Sequence, residues 1–90
     1  IDLPALYDAL PDSRFLYLTT KASRPYSDFS FASNDCLVFG PETRGLPNEL
    51  LAANQALCLT IPMPNPAVRS LNLATSVGIV LYEALRQTLA

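Results

Sequence analysis

Histidine is absent from this sequence of 90 residues. Its absence excludes, within these residues, catalytic sites that use a histidine base and metal sites that use histidine ligands. Only two cysteines occur, Cys36 and Cys58, and each lies inside an apolar, strand-like run. This setting is typical of buried, reduced thiols in a cytosolic protein, with a disulfide or redox pair as the alternative. We therefore expect no metal ion.

The sequence also lacks an excess of positive charge. Six lysines and arginines face eight acidic residues, a net charge of −2. Proteins that bind nucleic acid without sequence specificity usually carry an excess of positive charge. Any RNA contact of this chain must therefore depend on a few local arginines, a further segment or a second subunit. No apolar run reaches the roughly 18 residues of a membrane helix. Because residues 1–10 include Asp2, Pro4 and Asp8, they do not fit a signal peptide. A cytoplasmic protein without a membrane partner is predicted.

Periodicity predicts an alternation of helices and strands. Apolar spacing, caps and prolines predict helices at 2–10, 47–53 and from 71 or 72 to 89, and strands at 14–19, 35–39 and 57–61. This order favours an α/β domain with a mostly parallel sheet flanked by helices. Residues 20–34 form a long polar connection of a length that is often functional.

Three predicted strand ends lead into unusual segments. They are Leu18–Lys21, the loop Phe39–Pro47 (FGPETRGLP), and Ile61–Pro66 (IPMPNP). Because parallel strands end at one edge of a sheet, these segments predict a ligand site built from backbone groups beside an apolar slot. The glycine spacing matches neither the dinucleotide fingerprint nor the phosphate-binding loop. A purely structural turn therefore stays an open alternative for FGPETRGLP.

Residues 39–47 and 61–63, followed by Arg69–Ala84 (RSLNLATSVGIVLYEA), closely resemble motifs two and three of the SpoU (TrmH-like) ribose 2'-O-methyltransferases. These enzymes belong to the SPOUT superfamily. The resemblance covers most of the chain, from Phe15 to about Gln87. The segment Leu18–Lys21 is most similar to the TrmL (YibK) branch, which acts at the tRNA wobble position. So is the ending of the sequence, which stops soon after the last predicted helix.

The resemblance implies an α/β fold with a carboxyl-terminal trefoil knot, a feature that periodicity could not suggest because true knots are nearly absent from proteins. It implies S-adenosylmethionine as cofactor, tRNA as substrate and a homodimer. Carried over position by position, cofactor binding falls on Leu18, Gly40, Ile61 and Ser70, with Met63, Gly45, Leu71 and Leu73 nearby.

The catalytic residues implied by the resemblance are Asn72, Glu42 and Arg44. Asn72 would orient the ribose or the cofactor, but it also fits a simple helix cap. Glu42 would support the loop and Arg44 would contact RNA phosphate, but the two also fit a surface ion pair worth little. Arg69 fits a phosphate contact and a solvated loop arginine equally well.

The family's first motif, with an Asn and an Arg, has no counterpart in the sequence. We therefore expect residues 1–90 to be the carboxyl-terminal part of a single SPOUT domain, and the group that activates the ribose hydroxyl to lie elsewhere. The alternatives are a SpoU enzyme for another tRNA or rRNA position, a non-catalytic module that binds the cofactor or a nucleotide, and a structural dimerisation fragment. The last helix is apolar nearly all round, which favours a homodimer.

Overall fold

The computed structural model describes residues 3–40, 45–62 and 73–89. The order of its helices and strands is the predicted one, with two unpredicted short 3-10 helices at Tyr26–Asp28 and Gln55–Leu57. The elements are α1 (Leu3–Ala9), β1 (Arg14–Leu18), β2 (Asp35–Phe39), α2 (Asn48–Ala53), β3 (Cys58–Leu59) and α3 (Leu73–Thr88). No described helix is both long and apolar enough to cross a membrane.

The strands form a parallel sheet in the order β2-β1-β3. The predicted α/β class with a parallel sheet is therefore confirmed, while the trefoil knot stays a prediction. The third strand is shorter than predicted because Leu57 closes a 3-10 turn and Thr60 leaves the ladder to form an isolated bridge with Pro25.

Strand β1 is covered on both faces, as its continuous apolar run predicted. Leu16 and Leu18 face one cluster, which contains Leu59, Val80 and two loop phenylalanines. Phe15 and Tyr17 face the other cluster, which contains Leu46, Leu51 and Cys58. The alternation follows from the two-residue period of a strand, and it places α3 on one face and α2 on the other.

Helix α1 covers the Phe15 face. Leu6 and Tyr7 pack against it, and the Tyr7 ring meets the Phe15 ring edge-on at 4.7 Å between centroids. The Tyr7 hydroxyl also forms a hydrogen bond with the hydroxyl of Tyr17. Leu10, the last residue of the helix predicted at 2–10, lies past the end of α1 and is 40% exposed.

The connection at residues 20–34 supplies part of the core, which its polar composition did not predict. Phe29 and Phe31 are buried, with their rings edge-on at 5.3 Å. Gln87 on α3 holds the backbone between them, because its Nε2 donates to Phe29 O at 2.9 Å and its Oε1 accepts from Phe31 N at 2.8 Å. A side-chain amide thus replaces a strand partner and docks the connection on α3.

An ion pair fixes the starts of β1 and β2. Arg14 donates to both carboxylate oxygens of Asp35, at 2.8 and 2.7 Å, and to Ser30 O at 3.0 Å. The Asp35 side chain is only 3% exposed and also accepts from Ala32 N. Burial alone would raise the pKa of Asp35, but the hydrogen bonds from Arg14 and Ala32 outweigh it and hold that pKa below its usual value.

The two cysteines are not bonded to each other. Cys36 aligns with Phe15, and Cys58 aligns with Tyr17, so β1 lies between them. Two strand spacings put them about 10 Å apart, beyond the reach of a disulfide. Cys58 is buried as predicted, whereas Cys36 is half-buried. Burial raises the pKa of the Cys58 thiol, which makes it a poor nucleophile.

Candidate functional site

The three strand ends meet at one edge of the sheet. Leu18 pairs with Phe39 on one side and with Leu59 on the other. The residues that follow, namely Thr19, Gly40 and Thr60, therefore leave the sheet side by side. Neighbouring strands lie about 4.8 Å apart, so the outer two ends are roughly 10 Å from each other. Such an edge is where open α/β sheets bind ligands.

The loop after β2 is closed at its base by two glycines. A Cβ atom on Gly40 would lie 2.3 Å from the carbonyl carbon of Gly45 and 2.6 Å from the nitrogen of Leu46. Two backbone segments therefore touch where residue 40 has no side chain. Gly45 has φ of 69°, in the left-handed region, and a Cβ there would meet nothing within 4 Å. The loop thus presents exposed backbone at Gly45.

The connection after β1 supports the other two strand ends. Thr19 Oγ1 accepts from the backbone N–H of Lys21 at 3.1 Å, and Lys21 Nζ donates to Asn48 Oδ1 at the start of α2. Farther on, Arg24 O accepts from Thr60 N at 2.9 Å, and Tyr26 N donates to Thr60 O at 2.8 Å. The same connection therefore reaches the start of α2, just after the glycine loop, and the end of β3.

Four of the predicted cofactor residues lie at or beside this edge. Leu18 ends β1, Gly40 and Gly45 close the second loop, and Ile61 follows the end of β3. Leu73 is the first residue of α3 and is half-buried. The remaining predicted residues lie outside the described residues: Ser70, Met63 and Leu71 for the cofactor, and Asn72, Glu42 and Arg44 for catalysis.

The edge offers backbone rather than reactive side chains. The Leu18 side chain is buried in the core, and Ile61 packs partly against the same cluster, so neither presents a polar side chain. Within the described ranges, no three Cys, Asp or Glu residues gather where a metal ion could bind. The arrangement can therefore hold a heterocycle by main-chain hydrogen bonds and apolar contact.

A shallow pocket lies beside the edge, between the connection after β1 and α2. Its volume is about 110 Å³, well below the 300–1,000 Å³ typical of sites for drug-sized ligands. By itself it is too small for a nucleoside cofactor. It is lined by Thr19, Lys21, Ala22, Leu51, Ala52, Gln55 and Cys58.

Comparison with known proteins matches residues 2–82 to the model of the SpoU rRNA Methylase family. The chain belongs to the SpoU rRNA Methylase family. Among its relatives is the tRNA (cytidine(34)-2'-O)-methyltransferase of Escherichia coli strain K12, which is 45% identical over 87 residues; these cover 96% of this chain and 55% of that protein.

Solved SpoU-type structures share the fold. One, from a study of "2-OH methylation of C/U34 on tRNA", superposes with a TM-score of 0.86 at 45% identity, over 96% of this chain and 55% of the other. An AdoMet-bound rRNA methyltransferase from Sinorhizobium meliloti superposes with a TM-score of 0.76 at 31% identity, over 96% of this chain and 33% of the other. The chain thus spans about half the length, or less, of these relatives.

Sequence reasoning missed the supporting role of three residues at the edge. Lys21 belongs to a predicted strand-end segment, but no sequence pattern predicts a role for it, for Arg24 or for Asn48. Asn48 directly follows Pro47 at the start of α2, where a polar residue is ordinary. A long-range partner such as Lys21 leaves no periodic signal in a sequence, so only the fold could pair the two.

Proposed function

We propose that this chain is part of an S-adenosylmethionine-dependent ribose 2'-O-methyltransferase that acts on the wobble nucleotide of tRNA. The observation that carries the proposal is that the three strand ends leading into the family segments meet at one sheet edge, where Leu18 lies between Phe39 and Leu59. The 45% identity to an enzyme named for cytidine 34 favours the wobble position over other sites.

The residues at the edge fit the cofactor. Open space at Gly45 lets a ligand approach the backbone, and the partly exposed Ile61 beyond the end of β3 offers apolar surface to an adenine ring. When bound, S-adenosylmethionine supplies an activated methyl group, which is transferred to the ribose 2'-oxygen. We propose that Leu18, Gly40, Gly45 and Ile61 hold the cofactor mainly through main-chain groups, together with Leu73 and the predicted residues Met63, Ser70 and Leu71.

The chemistry asked of the protein is mainly positioning, because the methyl donor is already activated. The protein orients donor and acceptor for in-line transfer and removes the hydroxyl proton. We retain Asn72, Glu42 and Arg44 as the proposed catalytic and RNA-orienting residues. A protein that meets tRNA would work in the cytoplasm.

We also propose a homodimer and the SPOUT trefoil knot for the whole protein. Support for the dimer comes from α3, where Val80 is buried while Leu81, Tyr82 and, just past the helix, Leu89 are 42%, 73% and 78% exposed. Leu81 and Tyr82 adjoin each other in the chain, and a contiguous exposed apolar patch is typical of a partner surface.

Methyl transfer is tested with the natural full-length protein, labelled S-adenosylmethionine and bulk tRNA, followed by mapping of the labelled nucleotide. Label on the 2'-oxygen of nucleotide 34 is expected. Cofactor binding without transfer to any RNA would instead indicate a binding module, and no cofactor binding by calorimetry would refute the proposal.

Ribosomal RNA is the second candidate substrate, because the family description and the Sinorhizobium meliloti relative both name rRNA. The same assay with deproteinised rRNA in place of tRNA separates the two. We expect transfer to tRNA to be faster, and faster transfer to rRNA would favour the second candidate.

A further inference from the structure

The positive charges of the described residues are unevenly compensated. Of the four cations, Arg14 is paired with Asp35 and Arg86 is paired with Glu83, at 2.7 and 2.8 Å. Lys21 and Arg24 form no ion pair with any described carboxylate, and both are exposed. Their charges therefore remain available to an anionic partner.

Lys21 and Arg24 both lie on the connection that supports the site. Arg24 sits beside the end of β3, since its carbonyl accepts from Thr60 N at 2.9 Å, one residue before Ile61. Lys21 follows the end of β1 and reaches Asn48 at the start of α2. The pair is thus anchored to both flanks of the edge where the cofactor is proposed to bind.

The Arg24 guanidinium lies near the ring of Phe29, and Arg24 is exposed. Its Cζ lies 5.9 Å from the centroid of the Phe29 ring, whereas the paired Arg14 lies closer to that ring, at 4.8 Å. An arginine that rests on an aromatic ring and has no carboxylate partner among the described residues retains its donors for a phosphate. The net charge of these 90 residues is −2, which gives no general attraction to RNA, so local cations such as Arg24 are one source of that attraction.

We propose that Arg24, together with Lys21, binds backbone phosphate of the RNA substrate and positions it at the cofactor edge. The inference rests on the proposed function. It assigns to this connection an RNA contact in addition to the one proposed for Arg44, and it makes both residues positioning residues that do not touch the methyl group.

The test compares Arg24→Gln and Lys21→Gln with Arg86→Gln in the natural full-length protein. All three remove one positive charge, but Arg86 lies on α3 and is already paired with Glu83. Affinity for bulk tRNA is measured at two salt concentrations, and affinity for S-adenosylmethionine is measured by calorimetry. Methyl transfer by the unaltered protein is scored separately, so failure of the proposed function is visible on its own.

We expect Arg24→Gln to weaken tRNA binding, with its deficit shrinking roughly threefold between about 50 and 200 mM salt, as one lost phosphate contact requires. Lys21→Gln should behave similarly, while Arg86→Gln should match the unaltered protein and Arg24→Gln should leave cofactor affinity unchanged. Equal effects of Arg24→Gln and Arg86→Gln, or no effect of Arg24→Gln, would overturn the inference. So would a parallel loss of cofactor affinity in Arg24→Gln, which would indicate a structural role.

Discussion

Gly40 and Gly45 have opposite surroundings, although both close the same loop. At Gly40 the space for a side chain is filled by the backbone of Gly45 and Leu46. At Gly45 the space is open, and only the left-handed φ of 69° opposes a side chain. Steric overlap with backbone cannot be relieved by a rotamer change, so the two positions should differ in tolerance.

Gly40→Ala should lower S-adenosylmethionine affinity at least about tenfold, equivalent to about 1.4 kcal/mol, because the loop base must open to admit the Cβ. Gly45→Ala should cost the fold about 1–2 kcal/mol through its φ, with a smaller loss of affinity. Calorimetry with the cofactor and urea unfolding measure both effects.

Gly78→Ala provides the matched control, since a Cβ on this α3 residue would meet nothing within 4 Å of the same chain. In a helix interior it should raise the free energy of unfolding by about 0.5–1 kcal/mol. Equal cofactor affinity in Gly40→Ala and Gly78→Ala would contradict the role given to Gly40.

The Arg14–Asp35 pair makes the stability of the fold depend on acid pH. The folded-state pKa of Asp35 is lowered, because the hydrogen bonds from Arg14 and Ala32 outweigh the burial that alone would raise it. At pH values between the folded and the unfolded pKa of Asp35, the unfolded chain therefore binds more protons than the folded chain. The stabilisation is therefore complete above the unfolded pKa of about 3.9 and is lost as pH falls through the folded pKa.

Asp35→Asn should accordingly flatten the fall in the free energy of unfolding as pH drops below about 4, and should cost about 1–3 kcal/mol at pH 7 by leaving Arg14 and Ala32 N with a weaker acceptor. Urea unfolding at several pH values measures this. Asp8→Asn, an exposed carboxylate on α1, is the charge-matched control. Hydrogen bonds from Arg86 and Gln87 lower the pKa of Glu83 to about 2. Glu83 is unchanged in both variants, so its contribution to the pH dependence is the same in each.

At the scale of elements, the side-chain amide of Gln87 links α3 to the connection after β1. Gln87 satisfies one carbonyl and one N–H of the connection, and its Nε2 also donates to Glu83 Oε2 at 2.7 Å. Its partners Phe29 O and Phe31 N flank two buried rings, so an unpaired group there would be costly.

Gln87→Leu should therefore lower the free energy of unfolding by about 1–3 kcal/mol, even though it adds apolar surface. It should also raise amide hydrogen exchange at Phe31. Gln55→Leu, at an exposed glutamine, is the control and should change stability little. Unchanged amide exchange at Phe31 would argue against the role given to Gln87 in holding the connection on α3.

The sequence predicted the elements better than the connections between them. β1, β2 and α2 were predicted to within a residue, because apolar runs and their flanking breakers are local signals. The core role of Phe29 and Phe31 was missed, since their burial depends on a glutamine 56 or 58 residues away. The early end of β3 was also missed, because Thr60 forms a bridge with Pro25, which is distant in the sequence.

At the scale of the whole molecule, the site could be predicted as far as parallel topology determines it. Three strand ends had to share an edge once the strands were parallel. The choice of Leu18, Gly40 and Ile61 within those segments came from the family resemblance, and their cofactor role stays a prediction. The positions of Lys21 and Arg24 depend on how a 15-residue connection folds back on Thr60, and no local pattern encodes that. The roles given to Asn72, Glu42 and Arg44 stay predictions.

Helix α3 carries exposed apolar side chains that a dimer interface would bury. Tyr82 is 73% exposed on a helix whose neighbouring Leu81 is also exposed, so a glutamate there would cost little in an isolated subunit. Buried in a dimer interface, the same charge would be unpaired and strongly unfavourable. Tyr82→Glu in the full-length protein should therefore shift the sedimentation coefficient from dimer to monomer with near-native circular dichroism. Ala53→Glu, which adds the same charge at an exposed position of α2, should remain dimeric. A dimer that persists in Tyr82→Glu would place the subunit contact elsewhere.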